Sequence, residues 1–163
     1  MRVPVTWLRD YVKPGLDAEA LAERLALTGT DVERVTRHGV GALEHFVVGR
    51  VLAAEQHPDA DRLRVCKVAV GEGDVATIVC GAPNVAEGQT VAVARPGAIM
   101  PDGTKLKQAK LRGVASEGMI LAEDELDIGT DHAGILELAE DGLLPGTPLI
   151  DVLEVATDVL ELE

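Results

Sequence analysis

The chain has 163 residues, 47% of them hydrophobic, and a net charge of −13 from 28 acidic and 15 basic side chains. This length supports one good core, or one compact domain with part of another, and the acidic total speaks at first against a nucleic-acid partner, DNA included. No apolar run approaches a membrane span and MRVPVTWLRD lacks the apolar region of a secretory signal, so the cytoplasm is the expected compartment and no membrane partner is expected.

Along the chain, Thr6 can cap a short helix over Trp7 to Val12, stopped by Pro14-Gly15, with Trp7 and Tyr11 expected to pack into the core. Asp17 is the expected N-cap of a second helix, whose Leu21 and Leu25 form an inward stripe until Gly29. Asp31 to Thr36 reads as a strand. Gly39-Val40-Gly41 then suits a boundary, because glycine turns freely and the pattern changes there.

A strand-rich stretch follows: Phe46 to Gln56, Leu63 to Gly71, Val75 to Cys80, Thr90 to Arg95, and a further strand within Ile99 to Leu121. Glycine-rich turns such as Gly71-Glu72-Gly73-Asp74 and Pro101-Asp102-Gly103 separate them. Short strands at this spacing predict a small closed barrel of the five-stranded OB type, and the interruption Gly81 to Val85 falls where that fold places its connecting segment. Asp124 to Ile128 and Ile135 to Glu140 are acidic and amphipathic, Leu144 to Pro148 is a turn cluster, and a second boundary is expected near Asp151. The last residues alternate apolar and acidic and stop without a cap, as if cut within a strand. The expected division is 1–39, 40–151 and 152–163, mainly β with a few helices: an OB-type barrel between two segments of a small α+β domain.

Charge is unevenly spread. Residues 1–39 carry six basic and six acidic side chains and 40–112 carry nine and eight, while all fourteen residues of charge after Arg112 are acids. The middle of the chain can therefore present a basic surface despite the total. Lys105 to Arg112 (KLKQAKLR) concentrates four of those nine cations, with Lys105 and Lys107 on one face if the run is a strand. Charge alone does not choose between an RNA-facing stripe and an edge strand kept from aggregating by lysines.

No catalytic constellation is visible. The four histidines are scattered without an i, i+4 pair, the glycines of Gly71 to Gly81 are not followed by the lysine and hydroxyl of a phosphate-binding loop, and Cys66 and Cys80 read as buried, reduced strand residues. Asp59 and Asp61 belong to a turn, His57-Pro58-Asp59-Ala60-Asp61-Arg62-Leu63, between two strands. With one Trp, one Tyr and one Phe the chain has no platform for stacking bases, each worth about 1–3 kcal/mol, so any RNA recognition would use backbone charge and folded shape.

His57 to Leu63, then Cys80-Gly81-Ala82-Pro83-Asn84-Val85, Arg95-Pro96-Gly97 and Ser116-Glu117-Gly118-Met119, resemble in order and spacing the tRNA-binding OB-fold domain of several translation proteins. Met1 to Val12, the helix ending at Leu27-Thr28-Gly29 and the terminal Asp158 to Glu163 are similar to the start of the bacterial phenylalanyl-tRNA synthetase beta subunit. The resemblance implies a noncatalytic, N-terminal tRNA-binding fragment of an α2β2 enzyme, with tRNA and the alpha subunit as partners. ATP and magnesium are implied for the whole enzyme and no cofactor for this fragment. It also implies Arg62, Asn84, Lys105, Lys107, Lys110, Arg112, Ser116 and Met119 as RNA-contacting candidates, with His57, Pro58, Asp61 and Leu63 shaping the loop. A structural or protein-interaction role within the synthetase, or a freestanding tRNA-binding protein, is the alternative expectation.

Overall fold

The computed structural model describes every residue except Glu140, so the end of the amphipathic stretch expected over 135–140 lies outside the described residues. In chain order the strands are β1 Arg2–Pro4, β2 Val32–Gly39, β3 Phe46–His57, β4 Ala60–Gly71, β5 Asp74–Cys80, β6 Thr90–Ala94, β7 Ala109–Leu111, β8 Val114–Ser116, β9 Met119–Ile120 and β10 Ala156–Leu162. The helices are α1 Val5–Tyr11 and α2 Ala18–Leu27, with 3-10 turns at Leu43–His45, Asp124–Leu126 and Leu149–Asp151. Two compact units result: Met1–Gly39 with Ala156–Glu163, and Val40–Val155.

The first unit is a three-stranded antiparallel sheet in the order β1-β10-β2, with Val3 opposite Leu160 and Leu160 opposite Val35. Asp17 caps α2 by accepting a hydrogen bond from the Ala20 N–H at 2.8 Å, which satisfies one of the helix's orphan donors. Leu21 and Ala18 of α2 pack with Val5 and the fully buried Leu160. Two expectations fail in α1. The helix starts at Val5 behind Pro4, and the Thr6 hydroxyl lies 3.1 Å from that of Thr157, without capping. Trp7 and Tyr11 are 63% and 87% exposed, because Val5 and Leu8, three apart, take the inward side of so short a helix.

The second unit is an antiparallel sheet in the order β5-β4-β3-β6-β9. β3 is the long central element: Phe46 to Arg50 pair with β6 and Arg50 to His57 with β4, and register shifts between Val51 and Ala53 and at His57 let it bend. Alternation along β3 and β6 feeds two cores. Val47, Val91 and Val93 join Cys66, Val68 and Ile78 on one face, while Phe46, Val48, Ala92 and Ala94 join Leu121, Leu126 and Leu149 on the other. Burial on both faces explains why these strands read as continuous apolar runs. At Gly49 an added Cβ would lie 2.6 Å from Val93 Cγ2 and 2.8 Å from Val68 Cγ1, so only glycine lets the strand pass there.

The sheet's edges approach each other. The Glu117 N–H donates to the Thr77 carbonyl at 2.8 Å, Glu117 Oε2 accepts from the Thr77 N–H at 2.9 Å, and Ser116 Oγ accepts from the Val79 N–H at 3.1 Å. The strands thus form a curled sheet whose edges are joined by these bonds and not by a ladder. The segment after Ile120 covers the second core with Leu121, Leu126, Leu138 and Leu149, while Asp124, Asp127, Asp131, Glu137, Asp141 and Asp151 are exposed outside it. β7 and β8 stand apart as a two-stranded hairpin.

Candidate nucleic-acid interface

The tip between β3 and β4 is held by its own side chains. Gln56 Nε2 donates to the carbonyls of Ala60 at 3.0 Å and Leu63 at 3.3 Å, while the Asp59 N–H donates to His57 Nδ1 at 3.0 Å. His57 is 2% exposed, and its other nitrogen, Nε2, donates to the Leu111 carbonyl of β7 at 3.1 Å. An accepting Nδ1 and a donating Nε2 define the neutral Nε2–H tautomer. Pro58 and Asp61 are exposed at this tip, and Leu63 packs half-buried beside Gly81.

Arg64 lies on the face of β4 that carries Cys66, Val68 and Val70 into the core, beyond the point where the core ends, and Arg62 follows in the stretch where the β3–β4 register shifts. Both are exposed, and with Gln56, Asp61 and residues 81–83 they line a groove of about 390 Å³. Arg64 Nη1 also donates to the Val85 carbonyl at 3.3 Å. Sequence reasoning left Arg64 out of the candidates; its two-residue spacing from Arg62 and Cys66 was the available signal.

The run 105–112 is exposed except for the half-buried Leu106, but it is not one strand. Lys105 bridges to Ile99, Leu106 is bound by backbone hydrogen bonds to Gly97 and Ala98, and only Ala109 to Leu111 form β7. Anchoring Leu106 into the second core breaks the stripe in two, so Lys105 and Lys107 do not share a strand with Lys110. Arg112 and Gly113 turn the hairpin with φ +49° and +90°, left-handed at both positions, as a two-residue type I′ turn demands. Asn or Gly usually sits where Arg112 does, so the cation is kept at the tip against backbone preference.

Among the described residues, none of Arg62, Arg64, Lys105, Lys107, Lys110 and Arg112 has a carboxylate within salt-bridge distance. The remaining candidates are engaged within the fold: Asn84 is exposed but bonded, Ser116 is buried and Met119 half-buried. Asn84 spends both ends of its amide on Ile135, donating to the carbonyl at 3.0 Å and accepting from the N–H at 2.9 Å. Ser116 is 4% exposed and donates to the Gly118 carbonyl at 3.0 Å, and Met119 packs half-buried against the second core.

A second groove, about 340 Å³, is bordered by Cys80, Met119, Glu125 and His132. Its polar groups are engaged: Glu125 Oε2 accepts from the Ala122 N–H at 2.7 Å, and His132 Nδ1 pairs with Asp124 at 2.8 Å, a hydrogen bond that, with the carboxylate's charge, raises the imidazole above its ordinary pKa. Burial pushes the Cys80 thiol up as well, and pushes Cys66 to about 11 with help from Cys80, so both are poor nucleophiles. Among the described residues no group of three or more His, Cys, Asp or Glu is placed to hold a metal ion.

A family model described as "Putative tRNA binding domain" matches residues 46–147. The chain is 49% identical over 140 residues to a phenylalanine–tRNA ligase beta subunit from Nitratidesulfovibrio vulgaris, covering 86% of this chain and 17% of that protein. It is 48% identical over 138 residues to the same subunit from Coxiella burnetii, covering 85% and 17%. The chain thus spans about a sixth of the length of the curated relatives it matches, at 17%. A solved methionyl-tRNA-synthetase-related protein from Pyrococcus horikoshii aligns with a TM-score of 0.46 at 24% identity, covering 63% of this chain and 85% of that one, a likeness too loose to carry weight.

Proposed function

Because the chain belongs to the tRNA-binding domain family, we propose that Val40–Val155 acts as a noncatalytic module of a phenylalanine–tRNA ligase beta subunit, holding folded tRNA through its phosphates. In this reading it is an OB-type domain inserted between the two segments of a smaller α+β domain. The observation that carries the reading is the set of exposed cations, without a carboxylate partner among the described residues, on and beside two hairpins that meet at His57. Arg62 and Arg64 supply the groove side, and Lys105, Lys107, Lys110 and Arg112 the hairpin side. In this reading Asn84, Ser116 and Met119 hold the neighbouring segments in place through their bonds and packing, and Pro58, Asp61 and Leu63 shape the tip.

Exposed lysines and arginines on long stems, with Phe46 of this unit fully buried, favour contact with the phosphate backbone over base stacking, so discrimination among tRNAs is left to other parts of the enzyme. Partnership with the alpha subunit, ATP and magnesium belong in this reading to the whole cytoplasmic ligase.

The test is kinetic. Replacing Lys105, Lys107, Lys110 and Arg112 by alanine in the full ligase is expected to raise the Michaelis constant for tRNA while leaving turnover unchanged, the signature of binding lost equally from ground and transition states. Unchanged values of both constants would favour a purely structural role.

A further inference from the structure

We propose that His57 is a positioning residue that couples the β3–β4 tip to the β7–β8 hairpin, so that the cations on both bind tRNA as one edge although His57 itself never reaches the RNA. This deepens the tRNA-binding reading and rests on it. The hairpin has strands of only three residues, every residue of β7 is exposed, and a two-stranded ribbon alone is marginal in water. Its β8 end is anchored, since Ser116 Oγ and the neighbouring Glu117 bond to β5. Its β7 end is held across 54 residues of sequence by the His57 Nε2–H on the Leu111 carbonyl, next to the Arg112 turn.

The chemistry explains why the residue is a histidine. The position has to accept from the Asp59 N–H on one side and donate to Leu111 on the other, across a rigid ring and out of water. Asparagine can satisfy the Asp59 amide but is too short to reach β7; glutamine can carry a donor as far as Nε2 but gives up the fixed ring. The two substitutions therefore separate the loop bond from the coupling bond. Loss of the coupling frees Lys110 and Arg112 to move, so that the hairpin no longer holds them against the phosphates and their two contacts are lost from the bound state.

The experiment uses the whole chain with His57→Asn and His57→Gln, read by amide hydrogen exchange without RNA and by tRNA affinity across a salt series. His57→Asn is expected to speed exchange over 109–116 by about tenfold while leaving β3 and β6 protected. It should also make the log affinity against log salt slope shallower by about 1.5, the share of two cations at about 0.7–0.9 each. Adding Lys110→Ala and Arg112→Ala to it should then change the slope little, and His57→Gln should restore most of both readouts. Unchanged hairpin exchange in His57→Asn, or losses that simply add, would overturn the coupling while leaving tRNA binding intact. A wild-type chain that binds no tRNA at low salt would overturn the tRNA reading and the coupling proposal together.

Discussion

β6 and the β7–β8 hairpin lie in the same unit and are governed by different things. All five residues of β6 are buried, and its sequence, TVAVA, is what two facing cores require. β7 buries none of its three residues, and no core explains its lysine, or an arginine held at φ +49° beside it. Where packing accounts for a sequence, function need not be invoked. Where packing accounts for nothing and the backbone is placed against its preference, the residue types point outward to a ligand.

Substitutions should split along that line. Phe46→Ala, in the doubly buried part of β3, is expected to cost about 3–5 kcal/mol in chemical denaturation, the largest effect here. A cost near that of a surface change would mean that the second core is not formed as described. Replacing Lys105, Lys107, Lys110 and Arg112 together should shift stability by less than about 0.5 kcal/mol, since all four are exposed, yet weaken every tRNA tested to a similar extent.

Arg112→Asn sharpens the contrast because its two effects have opposite signs. Relief of the left-handed arginine should raise stability by up to about 1 kcal/mol, while loss of the charge weakens tRNA binding. A variant that lost both would place Arg112 on the packing side of the comparison. The smallest effect concerns the acidic cover. His132 should titrate above an ordinary histidine by NMR, and Asp124→Asn should return it toward the usual value. Since the folded pKa is the higher one, the pair's contribution is complete below the ordinary histidine pKa and is lost as pH rises through the raised value.

Much of the fold was legible because it follows local rules. The Asp17 cap, the strand runs of β3 to β6 and the glycine turns are set by propensity and backbone geometry, which a sequence displays directly. What misled was decided at a distance. Trp7 and Tyr11 look like core residues until Val5 and Leu8 are seen to occupy the only inward side, and Lys105 to Arg112 looks like one stripe until Leu106 is seen anchored beneath Ala98 and Gly97. For the site, the cations were visible as letters but their shared junction was not, because the bond from His57 to Leu111 spans 54 residues.

The salt dependence of tRNA affinity for the intact chain, measured beside the variant lacking Lys105, Lys107, Lys110 and Arg112, tests the central claim most directly. The expected result is a linear fall of log affinity with log salt for both, shallower in the variant by about 3, four cations at about 0.7–0.9 each. Equal slopes in the two proteins would contradict it.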